Sequence, residues 1–92
     1  MKKIVITVDG IDFTFNVGLA DYNRYINEVA MDNKINPGVR LLRGTLAEKE
    51  QRDELNKFIE SGFTMEIAAM LLKAFKPELV IEIKNSSAVS DN

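Results

Sequence analysis

The chain has 92 residues, 46% of them hydrophobic and 28% charged, with a formal net charge of −2. That is the size and composition of one ordinary globular domain, and so slight a charge leaves no general footprint for nucleic acid or an anionic membrane. Cysteine and histidine are both absent, which excludes disulfides, thiolate metal sites and thiol catalysis and removes the commonest general base.

The opening MKKIVITVDG places two lysines before apolar residues, as a signal peptide does. Its apolar run from Ile4 to Val8 is broken by Thr7 and ended by Asp9-Gly10, too short for a signal sequence. No segment approaches the roughly 18 apolar residues of a membrane span, so the expected compartment is the cytoplasm. Residues 3–17 instead read as two alternating runs around Asp-Gly, the two-residue loop of a type I′ hairpin. With that loop Val8 faces Ile11, Ile6 faces Phe13 and Ile4 faces Phe15. All of these, with Val17, fall on one side, while Val5, Thr7, Asp12, Thr14 and Asn16 fall on the other. A slip of one residue would invert the sorting, so turn and pattern specify the same register.

A first helix is predicted from Leu19 or Ala20 to Met31. Leu19, Tyr22, Ile26, Val29 and Ala30 recur at steps of three and four and make one face. Asp21 stands in the first turn or at the cap, where a carboxylate complements the helix dipole. The run MDNKINPG ends the helix in turn-forming residues. Pro37 then opens a short second helix holding Val39, Leu41 and Leu42 and ending near Gly44.

Thr45-Leu46-Ala47-Glu48 has the spacing of a capping box. The helix that it starts is expected to run to Glu60, with Leu55, Phe58 and Ile59 inward. Its EKEQRDE section is charged all round and reads as a solvated face. Ser61-Gly62 closes that helix, Thr64 caps the next, and Lys76-Pro77 stops it after Phe75. Residues 78–84, ELVIEIK, alternate again and read as a strand on the hairpin's edge.

The expected architecture is therefore α+β: an amino-terminal β-hairpin, three to four helices, and a carboxy-terminal strand. The strand completes a three-stranded antiparallel sheet in the order second, first, last, with the helices on one face. Residues 1–84 form a single domain, and the polar tail 85–92 is expected to be disordered.

Sites of chemistry are scarce. Lys34, Arg40 and Arg43 gather near the second helix, but three charges without interleaved aromatics make a poor nucleic-acid patch. Helix ends, neighbouring carboxylates or a protein partner are better uses for them. Glu48, Glu50, Asp53 and Glu54 diverge around their helix, with no sign of the burial that would raise a carboxyl pKa. Asp9-Gly10 and Asp32-Asn33 lack the ligand series of a calcium loop. The single glycines form no phosphate-cradling motif. No catalytic residue, cofactor or metal is assigned.

The last helix is different. Phe63, Ile67, Met70, Leu71 and Ala74 make one apolar stripe; Met65, Ala68, Ala69, Leu72 and Phe75 make a second. A surface helix needs only one such face. Two imply either a central core helix or a surface for a partner or a second copy.

The stretch DYNRYINEVAMDNKINPGVRLLRGTL, residues 21–46, resembles the phage tail assembly chaperones, small proteins of tailed phages and prophages. Similar proteins open this helix with Asp or Ala, then Tyr-Asn-basic-aromatic-Ile-Asn-Glu, matched here from Asp21 to Glu28. They continue with a Met-x-Asn-Lys turn, matched from Met31 to Lys34, a proline near position 37, and a Leu-(Leu/Met)-Arg-x-Thr segment, matched from Leu41 to Thr45. The strand pair and the ending from Pro77 to Lys84 are similar too, so the likeness spans about residues 3–84. Gly38-Val39 departs from it: small or polar residues before an aromatic or apolar one are expected there.

The resemblance implies a non-enzymatic protein of the bacterial host cytoplasm. It would bind the tape measure protein, tail tube subunits or both before the tube polymerises, with no nucleic acid, membrane or cofactor involved. The alternative is a structural tail or connector subunit retained in the virion. On this reading Tyr22, Ile26 and Val29 hold the first helix on the sheet, and Asn23, Arg24 and Tyr25 face outward. Met65, Ala69, Leu72 and Phe75 on the last helix supply the apolar contact.

Overall fold

The alternating residues around Asp9-Gly10 fold into the expected hairpin. The computed structural model describes residues 1–29 and 35–75. Strands β1 (Lys2–Val8) and β2 (Ile11–Val17) are antiparallel, pairing Val8 with Ile11, Ile6 with Phe13 and Ile4 with Phe15. Asp9 (φ 51°) and Gly10 (φ 80°) both occupy the left-handed region that a type I′ turn requires. Ile4, Ile6, Phe13, Phe15 and Val17 are buried, while Lys3, Val5, Thr7, Asp12 and Asn16 face solvent.

Four α-helices follow: α1 (Leu19–Val29), α2 (Ile35–Thr45), α3 (Arg52–Glu60) and α4 (Thr64–Phe75), with a 3₁₀ turn at Lys49–Gln51 before α3. Gly18 caps α1. Its carbonyl accepts from the N–H groups of Asp21 and Tyr22, and the Asp21 carboxylate accepts the Gly18 N–H at 2.8 Å. This is the acidic half of a capping box. The other end of the expected first helix, residues 30–31, lies outside the described residues, as does the turn at 31–34.

Helix α2 begins at Ile35, two residues before the expected start at Pro37, and its 11 residues end at Thr45, one past the expected end near Gly44. Pro37 then falls in the first turn, where a missing N–H breaks no helical bond. The Thr45–Glu48 capping box does not form. Thr45 is the last residue of α2, and its buried hydroxyl donates to the Leu41 carbonyl at 2.7 Å. The next residues are drawn to the outer edge of β2: Leu46 bridges Phe15, and the Ala47 N–H donates to the Thr14 carbonyl at 2.8 Å. Gln51 Nε2 donates to the Asp12 carbonyl at 2.7 Å on the same edge. Backbone acceptors that β2 would otherwise leave open are thus partnered.

Helix α3 ends at Glu60, as expected. The Gly62 N–H returns to the Ile59 carbonyl and the Phe63 N–H to that of Phe58, the paired bonds of a Schellman motif. The charged run before and into α3 is exposed, Gln51 alone being half-buried.

The core lies between the hairpin's inner face and the helices. It joins the five strand residues to Tyr25, Leu41, Leu42, Leu55, Ile67, Ala68 and Leu71. Phe58 of α3 meets Phe13 edge-on, with ring centroids 6.0 Å apart. Among the described residues the sheet has two strands. The expected third strand at 78–84 and the tail at 85–92 lie outside them.

Candidate functional site

Helix α4 carries the candidate surface, and its seat in the fold decides which residues are available. Its buried residues are Thr64, Ile67, Ala68 and Leu71, a seam running where the two predicted stripes meet. Each stripe therefore splits along its length. Glu66 and Lys73, seven residues apart and both exposed, share the outward face. To one side of that polar line lie Met65 (36% exposed) and Ala69, with Leu72 half-buried below them. To the other lie Phe63 (47%), Met70 (56%) and Ala74.

The neighbours identify the two sides. A methyl group built on Gly38 of α2 would lie 3.1 Å from Thr64 Cγ2, 3.7 Å from Met65 Sδ and 3.8 Å from Ala68 Cβ. The Met65 and Ala69 flank thus runs along α2. On the opposite side, Lys2 Nζ at the start of β1 donates to the Ala74 carbonyl at 2.8 Å. The Phe63 and Met70 flank runs along β1. Both residues, which the sequence puts on the first of the two apolar stripes, stand in solvent.

Other predicted contacts are placed differently. Phe75 is half-buried and stacks on Tyr22 of α1, centroids 5.5 Å apart at 33°, so it fastens α4 to α1. Asn23 and Arg24 are exposed, and Arg24 Nη2 pairs with Asp21 Oδ1 at 3.0 Å. Tyr25 corrects the expectation: it is 7% exposed and belongs to the core, while Ile26, expected inward, is 42% exposed. The buried side of α1 is rotated by one residue, which puts the larger aromatic body under the helices.

The basic residues have local partners. Arg40 donates through Nε and Nη2 to Glu28 Oε1 of α1, at 3.3 and 3.2 Å, and Arg43 Nε to Asn56 Oδ1 of α3 at 2.8 Å. They tie α2 to its neighbours; Lys34 lies outside the described residues. Among the described residues no three acidic side chains converge to hold a metal, and no helix is long and apolar enough to cross a membrane. On α4 the arrangement is an apolar flank bordered by charge, on a helix seated by packing.

A family model described as phage tail assembly chaperone matches residues 4–85. A curated relative, an uncharacterized 11.3 kDa protein in the lys 3′ region of Haemophilus phage HP1, is 31% identical over 84 residues, covering 90% of this chain and 81% of its own length. No solved structure matches the chain.

Proposed function

The chain belongs to the phage tail assembly chaperone family, and from that membership we propose a non-enzymatic chaperone that holds the tape measure protein, tail tube subunits or both before the tube polymerises. It acts in the host cytoplasm, without cofactor, nucleic acid or membrane. The observation that supports this reading is the apolar flank of α4, where Met65 and Ala69 stand in solvent beside half-buried Leu72. Contiguous apolar surface on a small domain is suited to covering an apolar partner. Long apolar helices need such cover until they are packaged. Asn23 and Arg24 add polar contacts from α1, while Phe75 holds α4 in position.

Co-expression with the cognate tape measure protein and recovery through a tag on this chain tests the reading. Ala69→Asp and Met65→Asp abolish recovery, whereas Val5→Asp, on the exposed outer face of the hairpin, leaves it intact. Equal recovery with all three removes the α4 flank as the contact. Mass spectrometry of purified particles finds no copy of a chaperone; a stoichiometric copy establishes a structural subunit instead.

A further inference from the structure

We infer that the cleft between the hairpin turn and the α3–α4 junction takes an arginine side chain of the tail protein that this chain binds. The guanidinium lies against the Asp9 carboxylate, and the aliphatic stem lies over Phe63. This rests on the chaperone reading above and adds what the partner presents.

The cleft has a volume of about 350 Å³ and is lined by Val8, Asp9, Phe58 and Phe63. That is the lower end of the range for small-molecule pockets, room for a long side chain rather than a cofactor. Two tight backbone motifs fix its walls. On one side, Asp9 and Gly10 are held in the left-handed region by the type I′ turn. On the other, the Phe63 N–H donates to the Phe58 carbonyl at 3.0 Å and the Gly62 N–H to that of Ile59 at 3.1 Å. Phe58 is anchored in turn by its edge-on contact with Phe13 of the core. The cleft is therefore formed before anything enters it, and a side chain docking there has little else to order.

Neither Asp9 nor Phe63 is fully explained by its local motif. A Schellman motif favours an apolar residue after the glycine, yet Phe63 stays 47% exposed. Asn-Gly serves a type I′ turn as well as Asp-Gly, so the aspartate adds a charge that the turn does not need. Asp9 is exposed and is the one charged residue of the four that line the cleft. Among the described residues the ion pairs are Asp21 with Arg24 and Glu28 with Arg40, which leaves the Asp9 carboxylate without a cation.

An anion beside exposed aromatic and aliphatic surface selects a cation with an apolar body. Arginine suits this better than lysine. Its planar guanidinium stacks on an aromatic ring and offers a carboxylate two donors, whereas an ammonium is a compact, strongly hydrated charge.

Nuclear magnetic resonance titration of the full chain tests the site, using N-acetylarginine amide and its uncharged analogue N-acetylcitrulline amide. The arginine compound should shift the Gly10 and Phe63 amides and bind about threefold tighter than the citrulline compound. Asp9→Asn keeps the turn and removes the charge, so it should erase that preference. Equal binding of the two compounds by the parent chain, or an unchanged preference in Asp9→Asn, overturns the proposal. Co-expression with the cognate tape measure protein tests the occupant. There Asp9→Asn should lower recovery about threefold, and unchanged recovery overturns the proposal while the chaperone reading stands. A parent chain that itself recovers no tape measure protein removes both.

Discussion

Gly38 of α2 faces Thr64 of α4 so closely that a methyl group at position 38 would sit 3.1 Å from Thr64 Cγ2. Thr64 is itself 3% exposed, so its methyl has little room to withdraw. Alanine at 38 gains roughly 0.5–1 kcal/mol of helix propensity and loses roughly 1–3 kcal/mol to overpacking. Gly38→Ala should therefore lower stability by about 1 kcal/mol, read as the urea midpoint. Adding Thr64→Ser, which deletes the obstructing methyl and keeps the hydroxyl, should recover most of that loss. A single Gly38→Ala variant more stable than the parent shows that the helices do not cross this tightly.

At Thr45 and Glu48 the local signal and the fold disagree, and a stability measurement distinguishes them. Glu48 makes no side-chain cap hydrogen bond, so Glu48→Ala should change stability by less than about 0.5 kcal/mol. A capping-box partner would cost about 1 kcal/mol. Thr45→Val removes only the hydroxyl that bonds the Leu41 carbonyl, a loss of about 1 kcal/mol or less. A large penalty at Glu48 in thermal unfolding restores the capping box.

Those two residues show where the sequence was legible. The hairpin was readable because a two-residue loop and a period of two constrain one another, so every inward residue of β1 and β2 followed from Asp9-Gly10. The helix end at Glu60 was readable because Gly62 (φ 92°) takes the left-handed conformation that closes a helix. The Thr45 motif misled because an isolated capping signal does not register the edge of β2, which draws Leu46 and Ala47 away from any helix. Helix α1 misled in phase. Tyr22 and Val29 suit an inward face through either Tyr25 or Ile26, and only the packing of the other helices chooses Tyr25. The candidate site on α4 was half legible: excess apolar surface showed in the residue spacing, but which parts stay open depends on where α2 and β1 lie.

Asp21 and Arg24 form an ion pair in which the two partners have unequal tasks. Arg24 lies 55% exposed on its side chain, and exposed pairs contribute about 0–1 kcal/mol. Asp21 also accepts the Gly18 N–H at the start of α1, a charge-assisted bond beside the positive end of the helix dipole. Asp21→Ala should cost about 1–2 kcal/mol and Arg24→Ala less than about 0.5 kcal/mol. Denaturant titration of both variants checks the order, and equal losses would assign the effect to the ion pair instead of the cap.

Phe75 and Ala69 separate folding from docking on one helix. Phe75 stacks on Tyr22 and is half-buried, so Phe75→Ala should lower stability by about 2 kcal/mol. In a double-mutant cycle with Tyr22→Ala it should show a coupling of about 0.5–1.5 kcal/mol. Ala69 is exposed, and Ala69→Asp should cost only the lower helix propensity of aspartate, about 0.7 kcal/mol. Loss of tape measure binding by Phe75→Ala is therefore ambiguous, because the helix proposed to carry the contact is loosened with it. Loss of binding by Ala69→Asp at a nearly unchanged melting temperature is not ambiguous, since nothing but the surface has altered. If Ala69→Asp binds normally while Phe75→Ala does not, α4 contributes to partner binding through the fold alone, and the contact lies elsewhere.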